Sequence, residues 1–264
     1  MQVCANFIKL YGIFVLDFKG NLDLNNDYYQ TLDENFKEAL NLIDKELSHS
    51  ELIEFLKSGN IPQKQLSALR LDKLENSDEA EILLNNLVGQ DGKIREAVSL
   101  KIKELTSNEI YLSYFSSINL DILSDYFLAA IVDINGNICR NILDSIIYFK
   151  ENKNFLNLFI KKLINLVHDL IGKINNFDVK DGKYKVNKEL FKLYWCLEAV
   201  NILYNKLPIE ELKKIVIEAK DIEEYTIREK VAKILVNEQN DDELISIRKE
   251  LKSDSNYYVR RILS

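Results

Sequence analysis

The fold class that this sequence predicts is all-α: a stack of about five to six antiparallel helix pairs behind an N-terminal capping segment. Three observations predict it. First, the segment Tyr225 to Val236, YTIREKVAKILV, recurs. Ile227-Arg228-Glu229-Lys230-Val231 matches Ile94-Arg95-Glu96-Ala97-Val98 and, in part, Val259-Arg260-Arg261-Ile262-Leu263. Asp91-Gly92-Lys93 returns as Asn135-Gly136-Asn137 and as Asp181-Gly182-Lys183, with a further equivalent at Glu224, at intervals of about 45 residues. Ser67 to Ser77 also aligns with Val98 to Asn108. Second, the 264 residues hold only 8 Gly and 2 Pro, too few for the turns of an all-β or α/β chain. Third, helix-start signals recur along the chain, and at 47% hydrophobic it is apolar enough to bury a sizeable core.

Residues 1–30 carry two readings, a helix with a loop or a short hairpin around Lys19-Gly20-Asn21. Either way, residues 1–48 are expected to cap a repeat domain spanning 49–264, because the end of a helical stack exposes an apolar face. Thr31 with Glu34, Ser48 with Glu51, Asp78 with Glu81, Thr106 with Glu109 and Asn240 with Glu243 each place a capping oxygen three residues before a Glu that can reach back to free N–H groups. Pro62 and Pro208 fall where a first helical turn would begin.

The expected pairs are 50–57 with 62–76, 78–89 with 93–106, 119–132 with 137–150, 154–175 with 186–206, 208–219 with 224–236, and 241–252 with 256–263. A short helix fills 109–118. Apolar stripes such as Ile94, Val98, Ile102 and Leu105 mark the second helix of each pair. The polar stretch 175–185 is the expected mobile or functional insertion.

The net charge of −7 disfavours generic binding to a phosphate backbone, although residues 150–220 carry a local basic excess. Solvated lysines are the default reading of that excess. Cys4, Cys139 and Cys196 are far apart and odd in number, as expected of reduced, buried thiols in a cytoplasmic protein. No stretch approaches the length of a membrane span, and no secretory signal is convincing.

The closing run Asp254-Ser255-Asn256-Tyr257-Tyr258-Val259-Arg260-Arg261-Ile262-Leu263 resembles the inner-helix opening of the HEAT-repeat family, specifically the short variety of phycobilin-lyase-type proteins. The resemblance covers residues 50–264 and is strongest in two or three repeats. It implies a right-handed α-solenoid with an Asp–Arg ladder between repeats. Asp254 would pair with Arg260, Asp91 with Arg95, and Arg228 with a neighbour such as Asp221 or Glu224. Asp133 and Arg140 are out of register by one, and the 154–206 pair lacks the arginine.

No catalytic residue, metal site or cofactor is expected. His49 falls in a cap sequence and His168 on a helix, and no phosphate loop, ligand cluster or nucleophile motif is present. The arginines Arg95, Arg140, Arg228 and Arg260 carry two readings: repeat-to-repeat ion pairs, or a row of guanidinium groups gripping an acidic peptide. Tyr111, Tyr114, Phe115, Tyr126 and Phe127 form one aromatic cluster, and Phe191, Tyr194 and Trp195 another. Core packing is the default for both. Tyr194, Trp195 and Tyr258 join the arginines as partner-contact candidates.

The expected function is therefore a non-enzymatic scaffold that binds another protein or peptide on a concave surface. The alternatives are a HEAT-like enzyme or enzyme subunit, of the alkyl-base DNA glycosylase or phycobilin-lyase-like kind, and an inhibitor or immunity-type protein that masks a partner.

Overall fold

The structure is a computed structural model and describes residues 34–177, 183–236 and 238–264. Expectations for residues 1–33, and for the centre of the 175–185 stretch, fall outside the described residues, as does the Thr31 cap. Among the described residues every regular element is a helix, and no helix is long and apolar enough to cross a membrane. The chain divides into two compact units, Met1–Asn119 and Leu120–Ser264.

In the first unit six helices are described: α1 (Glu34–Ile43), α2 (His49–Ser58), α3 (Ile61–Arg70), α4 (Ser77–Leu84), α5 (Gly92–Thr106) and α6 (Glu109–Ser117). They form two rows. Helices α1, α3 and α5 pack in sequence, while α2, α4 and α6 pack in sequence beside them. Each helix turns its apolar stripe inward, so Leu56, Leu66, Ala80, Leu83, Val98, Ile102 and Phe115 are fully or almost fully buried. Neighbouring layers therefore share one core, as expected of stacked repeats. Helix α1, which precedes residue 49, belongs to the first of these rows.

The helix starts show which polar residue wins the capping role. Ser48 and Glu51 form the expected capping box, and Pro62 lies in the first turn of α3. Helix α3 also has a box that the sequence analysis does not single out, between Asn60 and Gln63. Three expected caps are displaced. Asn76 caps α4 in place of Asp78, Asn108 caps α6 in place of Thr106, and Asp241 caps its helix in place of Asn240. At Thr106 the reason is visible: its hydroxyl donates to the Ile102 carbonyl one turn back, at 2.8 Å, and is buried there. Helix α3 stops at Arg70, short of the expected 76, because Leu71 and Leu74 enter the core from a non-helical stretch.

The second unit holds α7 (Leu120–Ile131), α8 (Gly136–Ile146), α9 (Lys153–Asn175), α10 (Lys183–Ile202), α11 (Ile209–Lys220), α12 (Tyr225–Leu235), α13 (Asp242–Leu251) and α14 (Tyr257–Ile262). Short 3-10 turns follow α8 and α10, at Ile147–Glu151 and Tyr204–Lys206. Pro208 is the residue before α11 and supplies no side-chain cap. Two rows recur: α7, α9, α11 and α13 on one side, and α8, α10, α12 and α14 on the other.

Between them lies a phenylalanine core. Phe127 meets Phe149 and Phe155 edge-on, with centroids 5.6 and 5.9 Å apart. Phe155 stacks on Phe159 at 5.5 Å. All four are buried, so removing one ring should cost about 3–5 kcal/mol. Phe127 thus has different ring partners from those expected of it by sequence proximity.

Candidate binding face

In the second unit, aromatic and charged side chains of α8, α10 and α12 form one connected set of contacts along their row. Phe191, Tyr194, Trp195 and Glu198 lie at helical spacing on α10, which puts them on one side of that helix. Trp195 packs edge-on against Tyr194 at 5.4 Å and against Phe191 at 6.3 Å. From α8, the exposed Arg140 places its guanidinium 5.9 Å above the Trp195 ring, within cation–π range. Its Nη1 also donates to Asn137 Oδ1 at 3.3 Å. Gly136 allows this approach. A Cβ there would lie 3.3 Å from the indole.

From α12, Lys230 sets its ammonium 4.1 Å over the Tyr194 ring and forms an ion pair with Glu198. Lys230 is only 3% exposed, so both contacts offset the cost of burying its charge. Trp195 is 9% exposed, and its indole Nε1 is buried with no hydrogen-bond partner among the described residues.

The other sequence candidates lie elsewhere. Arg228 faces the turn between α13 and α14. Its Nε donates to Asp254 Oδ2 at 2.6 Å and its Nη2 to Oδ1 at 3.2 Å, a fork-to-fork pair. Its Nη1 closes the turn before α12 by donating to the carbonyls of Ile222 and Glu223 at 2.8 and 2.6 Å. The guanidinium of Arg228 holds the Asp254 carboxyl below its ordinary value.

This corrects the expected pairing in two places. The acidic partner of Arg228 is Asp254 of the following pair, while Glu224 accepts from Thr226. Arg260 reaches the backbone carbonyls of Asp254 and Ser255, at 2.5 and 2.8 Å. A five-donor fork can hold two carbonyls and a carboxylate at once, so arginine serves the turn and the repeat junction together. Tyr258 stacks on Tyr225 at 6.0 Å, with Arg261 over its ring at 5.4 Å. In the first unit, Asp91 caps α5 through the Lys93 N–H, and Arg95 donates to the Gln90 carbonyl.

The structure therefore brings Arg140, Tyr194 and Trp195 together and leaves Arg95, Arg228, Arg260 and Tyr258 at other places. Lys230, Glu198 and Gly136 complete the set and are not among the partner-contact candidates read from the sequence. A lysine inside the Ile227, Val231, Ile234 stripe is the signal that was available. The imidazole of His168 pairs across helices with Glu218 at 2.8 Å, whereas its neighbour Asp169 is bound to Lys173 at 2.5 Å.

No protein-family model matches the chain, and no curated protein matches it. Among solved structures it is similar to a designed armadillo repeat protein, YIII(Dq)4CqI, at 12% identity, with 82% of this chain and 97% of that chain covered and a TM-score of 0.40. A likeness at that level carries no weight for fold or function.

Proposed function

We propose that the chain is a non-enzymatic, HEAT-like helical-repeat scaffold in a right-handed stack, and that it binds another protein or peptide through the α8, α10, α12 face. The supporting observation is the run Arg140, Trp195, Tyr194, Lys230, Glu198, which passes through contacts across three successive helices of one row. Arginine and aromatic side chains supported by packed neighbours are the composition of interface centres. The buried thiols of Cys139 and Cys196 are held protonated by desolvation, Cys139 up to about 12, which disfavours either as a nucleophile and accords with a non-enzymatic role.

Trp195 is the only tryptophan in the chain, so intrinsic fluorescence reports directly on this face. The test is affinity capture from the source cells with the wild type and with an Arg140→Glu, Tyr194→Ala double variant, followed by fluorescence titration with whatever the wild type retains. The proposal expects capture by the wild type alone and a shift in emission on titration. Equal capture by both proteins with unmoved emission would put the partner on a different surface.

A further inference from the structure

The first unit gathers three metal-ligand side chains from two places in the sequence: His49 at the start of α2, and Glu75 in the stretch before α4 with Glu79 in the first turn of α4. One ligand atom from each lies within 4.8 Å of the others. The His49 Nε2 is nearly equidistant from the two Glu79 oxygens, at 3.1 and 3.0 Å. A second feature fixes the carboxylate: Glu79 Oε2 accepts the Glu75 backbone N–H at 2.8 Å. This is the kind of outer hydrogen bond that orients a ligating carboxylate.

Glu79 is 9% exposed, and a buried carboxylate facing a second carboxylate needs positive charge beside it. Lys73 is bound instead to Glu75 Oε1 at 2.7 Å, in a pair about half exposed on both sides, which holds little energy and can yield.

We propose that His49, Glu75 and Glu79 form a site for one divalent transition-metal ion, of which Zn2+ is the type. The spacing fits the chemistry. Two ligand atoms about 2.1 Å from a tetrahedral ion are ~3.4 Å apart, so His49 Nε2 and the Glu79 oxygens, now 3.0 and 3.1 Å apart in a hydrogen bond, would have to part by only a few tenths of an ångström to admit it. The imidazole donor selects a transition metal over Ca2+ or Mg2+, and three protein ligands leave room for water on the ion. Bound there, the ion would clip α2 to α4, successive helices of one row, and contribute its binding energy to the first unit.

The alternative is a plain His49–Glu79 pair between the same helices. Titration of the full-length, metal-free protein with Co2+, read by visible absorption, and with Zn2+, read by calorimetry and melting temperature, separates the two. The site predicts saturation at one equivalent and a higher melting temperature with Zn2+. It also predicts affinity at least about tenfold weaker in Glu79→Gln and His49→Ala, and unchanged binding in His168→Ala. Glu75→Gln, on a half-exposed residue that carries little of the fold, should weaken binding without altering the metal-free melt. No saturable binding by the wild type, or binding that survives the substitutions at 49, 75 and 79, would overturn the proposal.

Discussion

At Arg228 a single side chain joins two scales of structure. Its guanidinium closes the turn before its own helix through two carbonyls and reaches Asp254 in the next pair through two nitrogens. Both partners are largely buried, with side chains 14% and 7% exposed, so Arg228→Ala leaves a carboxylate without its charge partner. The expected cost is about 3 kcal/mol, measured by denaturant unfolding. Arg228→Lys should recover only part of it, because a lysine has no fork.

The same pair sets a pH dependence. Asp254 titrates below its ordinary value of 3.8 in the folded state, so its stabilisation is fully present above that value and is lost as pH falls through the lowered one. Asp254→Asn should therefore destabilise the protein at pH 7 and flatten the acid limb of the stability profile. An unchanged acid limb would show that other carboxylates govern it.

Between helices, the junctions are made by side chains that sequence periodicity does not reveal. Lys230 sits where the apolar stripe of α12 would call for a hydrophobe, and it stays there because Tyr194 and Glu198 on α10 receive it. Lys230→Ala should cost about 2 kcal/mol, since Glu198 retains partial exposure. The Lys230→Met, Glu198→Leu double variant should regain most of that loss, which a double-mutant cycle would measure.

Gly136 has the complementary role on α8, where it leaves space for the Trp195 ring. Gly136→Val should push the indole outward and shift its emission to longer wavelength with little loss of helix content by circular dichroism. An unmoved spectrum would mean that the contact is loose.

For the molecule as a whole, the division after Asn119 leads to a direct expectation. The Leu120–Ser264 fragment contains its own two rows and its own phenylalanine core. Expressed alone, it should remain helical and unfold cooperatively, as followed by thermal circular dichroism. A fragment that melts without a transition would show that its core depends on residues before 120.

Much of this architecture is legible in the residues themselves. The stripes of α5 and α12 are read directly from the matching Ile94-Arg95-Glu96 and Ile227-Arg228-Glu229 runs, and Ser48 with Glu51 is a local signal that the structure keeps. Displaced caps such as Asn108 for Thr106 show the limit of such signals, because a hydroxyl can either accept from the N–H groups ahead of it as a cap or donate to a carbonyl one turn back, as Thr106 does to Ile102. Local order and apolar periodicity act over one or two helical turns, so the chain alone determined its helical class and most helix positions. Tertiary packing decided which layers meet: that Asp254 answers Arg228, that Arg140 lies over Trp195, and that His49 finds Glu79. These partners are tens of residues apart in the chain and become neighbours only when one helix pair stacks on the next.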